Sequence, residues 1–122
     1  METVMVKTEV AITQQRVEDL LCGAFEGGSN YWAYFVVSKK QKQGVKIDYI
    51  YEIATRGGEI TINDRETGET LGFLNEESIK KGLQLMAEKY PNRFIDVVNE
   101  NDDADTADIF VQLAVMGELV FG

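Results

Sequence analysis

Histidine is absent from this 122-residue chain, and proline and cysteine occur once each, as Pro91 and Cys22. Without an imidazole there is no Ser-His-Asp or Cys-His nucleophile, no imidazole-based zinc site and no histidine pH switch. A lone thiol excludes an intrachain disulfide. With no base to generate a thiolate, Cys22 reads as a small hydrophobe on an apolar helix face. No stretch approaches the roughly 18 apolar residues of a membrane span, and METVMVKTEV lacks the continuous apolar run of a signal peptide. The expectation is a cytoplasmic protein with no targeting segment and no membrane partner. Positive charge is also scarce, with 12 Lys+Arg against 21 Asp+Glu and a net charge of −9. That balance argues against direct nucleic-acid binding, which needs a positive field to release counterions.

What the sequence does hold is apolar mass, 44% hydrophobic and 10% aromatic. At this length about two thirds of the unfolded surface can be buried, so the chain is expected to form one domain over residues 1–122. Val4, Val6, Val10 and Ile12 share one parity, which predicts a strand from Thr3 to Ile12. Thr13 is placed to cap a helix carrying Val17, Leu20, Leu21, Ala24 and Phe25, ending at Gly27-Gly28 on a left-handed residue. Asn30 to Val37 predicts a second strand, Ser38 to Gly44 a polar loop, and the alternation of Val45, Ile47, Tyr49, Tyr51 and Ile53 a third strand. Ile60 and Ile62 mark a fourth, and Thr70 to Leu74 returns as a fifth after a turn at Asp64 to Gly68.

Asn75 then reads as an N-cap, with Glu76 and Glu77 in the first turn and an apolar stripe of Ile79, Leu83, Met86 and Tyr90 until Pro91. A short helix over Asn92 to Asn99 is expected to bury Phe94, Ile95 and Val98. A last helix starting near Asp105-Thr106 turns Ile109, Phe110, Leu113 and Met116 inward and ends at Gly117, with the tail Glu118 to Gly122 docked. Strands in the first half and helices in the second give an α+β fold, a mostly antiparallel sheet with three or four helices packed on one face.

Candidate chemistry is sparse. Asp96, Glu100, Asp102, Asp103, Asp105 and Asp108 invite a cation, but an EF-hand counted from Asp103 would need Gly and a carboxylate where Asp108 and Ala114 stand. Asp103, Asp105 and Thr106 read instead as a helix cap, and no metal or cofactor is expected. EGGSN and RGGEI match neither phosphate-loop pattern and read as a helix end and a hairpin turn. Paired carboxylates could serve a hydrolase, but so acidic a chain brings two acids together in almost any fold. Ser29, Asn30, Tyr31 and Trp32 are more distinctive, since they could stack on a planar ligand and hydrogen-bond its edge. Core packing is the alternative fate for Trp32.

A longer set of motifs carries a resemblance. Asp19-Leu20-Leu21 and Ala24-Phe25-Glu26-Gly27-Gly28-Ser29-Asn30-Tyr31-Trp32 are followed by Gly82-Leu83-Gln84 and by Met86-Ala87-Glu88-Lys89-Tyr90-Pro91. Asp102-Asp103-Ala104-Asp105-Thr106-Ala107-Asp108, with Phe110 and Gln112, and Gly117-Glu118-Leu119-Val120-Phe121-Gly122 complete it. Together these resemble a widespread family of small phage and prophage proteins. Ser38 to Leu74 lies outside the resemblance.

The resemblance implies a non-catalytic counter-defence protein, a sponge that sequesters a nucleotide immune signal of cyclic oligonucleotide or cyclic ADP-ribose type. The ligand-binding set expected on that reading is Ser29, Asn30, Tyr31, Trp32, Arg56, Asp105 and Thr106. Homo-oligomers would pool aromatics and arginines around one ligand. Arg16, Arg56, Arg65 and the Lys39 to Lys46 loop are the cations available to a phosphate. The alternative is an acidic inhibitor mimicking nucleic acid on a host nuclease or CRISPR effector. Up to Thr61 the net charge is −1 and beyond it −8, so a ligand is expected beside Trp32 and a basic protein against the later helices.

Overall fold

The computed structural model describes residues 1–39 and 44–122, with the side chains of Ser38 and Lys39 left aside. It is an α+β fold in which a three-stranded antiparallel sheet, in the order β1-β2-β3, packs with helices. The strands are β1 (Ala33–Lys39), β2 (Glu59–Asp64) and β3 (Thr70–Leu74). The helices are α1 (Gln14–Gly23), prolonged by one π-helical turn (Ala24–Gly28), α2 (Glu52–Thr55), α3 (Glu76–Lys89), α4 (Pro91–Val98) and α5 (Ala104–Met116). Most of the loop expected over Ser38 to Gly44 lies outside the described residues, and β1 extends to Lys39.

Local signals place the helices. The Thr13 hydroxyl accepts from the Arg16 N–H at 3.1 Å and starts α1. Asn75 and Ser78 form a reciprocal capping box at α3, each side chain accepting from the other's backbone N–H at 2.9 Å. Asp103 caps α5 through the Thr106 N–H at 2.8 Å, and Gly117, with φ of +76°, closes it in the left-handed conformation. Pro91 cannot continue α3, but its fixed φ suits the first position of α4.

Two expected strands are absent. Residues 1–13 form no ladder, so the alternation from Thr3 to Ile12 finds no strand partner among the described residues. Val45 to Ile53 is likewise not a strand. There the Glu52 carboxylate accepts from the backbone N–H groups of Asp48 and Tyr49, both at 2.7 Å, and turns the chain into α2 instead. Asn30 to Trp32 is a turn rather than strand, because the Trp32 and Ala33 N–H groups both donate to the Ser29 carbonyl, and the strand begins at Ala33.

The core runs from the sheet's inner face, Ile60, Ile62 and Leu74, through Leu20, Leu21 and Met86 to Phe110 and Leu113, all buried. Each such side chain contributes about 1.5–3 kcal/mol by leaving water. In α4 the buried residue is Val97, with Phe94 half-buried, while Ile95 and Val98 face solvent, contrary to expectation. Eight residues give that helix only a narrow inward stripe, which passes through 94 and 97. Ile109, Met116 and Cys22 are half-buried rather than fully enclosed.

Arg56 organises the far side of α1. Its guanidinium bonds the Glu18 carboxylate at 3.1 Å and the Glu52 carboxylate at 2.5 Å, and reaches the Lys46 carbonyl at 2.5 Å. Burial pushes the Glu18 carboxyl up, but the hydrogen bonds from Arg56 and Thr55 and the Arg56 charge outweigh it and hold the group below its usual value. A depressed carboxylate stabilises the fold above its unfolded pKa of 4.5, and that contribution fades as pH falls through the folded value. Arg56→Ala is therefore expected to lower the melting temperature clearly at pH 7. The gap from wild type should narrow in acid, where Glu18 is protonated in both proteins. Calorimetric scans on either side of pH 4.5 check this, and a gap constant with pH would show that the pair is idle.

Candidate functional site

Two glycines let the aromatic turn reach α5. A Cβ on Gly28 would sit 2.6 Å from the Ala104 carbonyl oxygen, and one on Gly23 would sit 3.3 Å from the Ala107 Cβ. Gly28 and Gly23 are thus close-packing positions, whereas a Cβ on Gly27 would meet nothing. Gly27 has an extended φ of 171°, so the left-handed helix end expected at this point does not form.

Pressed against α5, the turn converges on one carboxylate. Asp108 Oδ1 accepts from the Ser29 hydroxyl and the Trp32 indole N–H, both at 2.7 Å. Its Oδ2 accepts from the Tyr31 hydroxyl at 2.6 Å and the Gln112 amide at 3.1 Å. Four donors match the acceptor capacity of a carboxylate, which is how a buried charge is held without a cation.

Gln112, one helical turn on, binds the tail. Its Oε1 accepts from the Val120 and Phe121 N–H groups at 2.8 and 2.9 Å, and its amide donates to the Phe121 carbonyl at 3.1 Å. The Phe121 ring then stacks on Trp32, with centroids 5.0 Å apart and planes at 9°. The tail is docked, as its composition predicts. Three motifs far apart in the sequence, EGGSNYW, DADTAD and GELVFG, therefore meet at Asp108 and Gln112.

Beside this hub lies a cleft of about 490 Å³, lined by Tyr31, Arg93, Asp105, Asp108, Gln112 and Phe121 among others. The expected site residues divide around it. Tyr31 and Asp105 line it, Tyr31 being 56% exposed. Ser29 and Trp32 support it from below: Trp32 is 2% exposed, with one face covered by Phe121. Thr106 is buried, its hydroxyl accepting from Arg93 at 3.1 Å. Asn30 is half-buried in the turn and does not line the cleft. Arg56 is engaged with Glu18 and Glu52 and is not among the lining residues.

The cation at the cleft is instead Arg93, which sequence reasoning passed over; its only signal was its place just after Pro91. Gln112 and Phe121 were visible as motif residues but not as a clamp. Of the other expected cations, Arg16 is paired with Asp102 and Arg65 lies 5.9 Å over the Tyr34 ring. No group of three or more Cys, Asp or Glu among the described residues could hold a metal ion. No described helix is long and apolar enough to cross a membrane.

Burial and the hydrogen bond to Asp108 push the Tyr31 phenol up to about 12. A raised phenol favours the fold fully below the ordinary value of 10.0, and the benefit is lost as pH rises through about 12. In an ultraviolet titration, one tyrosine is expected to ionise near 12 and to vanish in Tyr31→Phe. A Tyr31 that titrates near 10.0 would mean the contact to Asp108 is not made in solution.

Comparisons with protein-family models, curated proteins and solved structures find no match to this chain.

Proposed function

We propose that the chain is a non-catalytic binder of a nucleotide-type immune signal, a counter-defence protein of phage origin acting in the host cytoplasm. The observation that carries this reading is the cleft, whose size lies within the range of small-molecule sites. Its lining offers Arg93 for a phosphate, Asp105 for ribose hydroxyls or base amines, and the exposed Tyr31 ring for stacking. Two bonded partners, Asp103 at 3.5 Å and Thr106 at 3.1 Å, occupy one guanidinium nitrogen of Arg93 and orient the rest.

Asp108 has all four acceptor positions engaged, so it serves to build the floor rather than to abstract a proton. A sponge needs tight binding without turnover, which such an arrangement suits. A local arginine also answers the objection raised by a net charge of −9.

The second reading, an acidic inhibitor of a nuclease or CRISPR effector, draws less support. On that reading Glu100, Asp102, Asp103 and Asp108 would face the basic partner, but Asp108 is buried on its four donors, Asp102 is paired with Arg16, and Asp103 caps α5. Glu100 is the one of that group with an exposed carboxylate and no such duty.

A panel of cyclic di- and trinucleotides and cyclic ADP-ribose types at about 100 µM tests the proposal by melting temperature. A ligand with a Kd near 1 µM would stabilise the fold by about 2.7 kcal/mol, or roughly 10 °C for a domain of this size. Arg93→Ala is expected to remove the shift while leaving the unliganded melting point nearly unchanged. A panel that moves nothing would end the nucleotide reading.

A further inference from the structure

We propose that the N-terminal arm is a strand for another copy of this chain: residues 3–9 of one protomer pair with the free edge of β3 in a second, and the exchange is reciprocal. The arm has the alternation of a half-buried strand, yet it forms no ladder with its own sheet, and Val6 is 78% exposed and Val4 61%. Its root is fixed, since Val10 and Ile12 line a groove of about 550 Å³ with Ile79, Leu83 and Phe94 of α3 and α4. Beyond that root the chain leaves the body with its apolar parity unpartnered.

The receiving edge is equally specific. Within the sheet β3 pairs with β2 alone, so along its other side the main-chain groups of Thr70–Leu74 are not engaged in any described ladder. The outer face beside that edge carries Phe73, Thr61 and Val36 in register, and Phe73 and Val36 are exposed. An added strand there would lay valines against that apolar row while its backbone completes the ladder. Extended chain spans about 3.3 Å per residue, so residues 3–9, ahead of the seated Val10, reach roughly 23 Å against about 17 Å for β3, which leaves length for the crossing. The opposite edge, β1, runs into residues outside the described ones. Reciprocal exchange about a two-fold axis satisfies both arms and both edges at once, and covers the kind of open edge that proteins otherwise protect.

Light scattering after size-exclusion chromatography, over a roughly hundredfold dilution series, tests this on the full chain. The expected result is twice the mass of one chain, falling to a single mass when residues 1–11 are removed, with an unchanged circular dichroism spectrum. The β3 amides that face away from β2 should exchange slowly in the full chain and fast in the truncated one. If the truncation does not fold, the double variant Val4→Lys, Val6→Lys, which keeps the arm, should show the same loss of mass and protection. A single-chain mass at every concentration, a dimer that survives either change, or β3 protection indifferent to the arm would each overturn the proposal. None of these readouts depends on a ligand.

Discussion

Asp108→Ala is expected to lower folding stability by about 4 kcal/mol, measured by urea unfolding, with the single tryptophan as one probe and circular dichroism as another. The substitution removes the acceptor for the Ser29 hydroxyl, the Trp32 indole N–H and the Gln112 amide, and Ser29 and Trp32 are buried. Each buried donor left unpaired costs about 1–3 kcal/mol. Against this stands the relief of no longer desolvating a carboxylate, but with four donors the native charge is well compensated, and the orphaned donors decide the sign. Asp108→Asn separates charge from geometry. Its carbonyl can still accept from Ser29 and Trp32, while its amide meets the Gln112 amide donor, so a smaller loss of about 1–2 kcal/mol is expected. Equal losses for Ala and Asn would mean that charge, and not the count of acceptors, holds the hub together.

Gly82→Val is expected to destabilise by about 3 kcal/mol or more and to raise the exposure of apolar surface, read by dye binding. Gly82 lies in α3 where that helix meets α5, and a Cβ there would stand 2.8 Å from both the Ala114 Cα and its Cβ, and 2.9 Å from its nitrogen. These are backbone and near-backbone atoms, which cannot swing aside. Alanine in place of glycine would gain about 1 kcal/mol of helix propensity, yet overpacking a filled interface costs about 1–3 kcal/mol. Gly82→Ala should therefore come out mildly destabilising, and the branched valine, with no rotamer clear of α5, far more so. A stabilised alanine variant would show that the helices can part at little cost.

The contrast between these two positions explains what could be read in the sequence. Asn75, Pro91, Asp103 and Gly117 act on groups within four residues of themselves, so α3, α4 and α5 were placed to within a residue or two. Alternation is weaker evidence, because a strand exists only if another strand meets it. Thr3 to Ile12 and Val45 to Ile53 have the period but form no strand among the described residues, and Glu52 captures the second of them into a turn. The hub was legible only in pieces. Ser29, Tyr31 and Trp32 stood out by type, but Asp108 lies more than seventy residues away, and no local signal distinguishes it from its acidic neighbours in Asp102 to Asp105. The cleft's cation was misassigned for the same reason. Arg56 sits in the less acidic half, yet Glu18 and Glu52 claim it, whereas Arg93 reaches the cleft by the packing of α4 on α5.

The stacked pair of Trp32 and Phe121 gives the molecule an optical reporter of its own. The chain's single indole is dry, has its N–H on a carboxylate, and shares a face with a ring that belongs to the tail. Its emission should be short in wavelength while the tail is seated, and should redden when Phe121 lifts away. Because Phe121 also walls the cleft, a molecule entering there presses on the same ring. Occupancy of the site and seating of the last residues can thus be followed in one fluorescence trace, without attaching a dye.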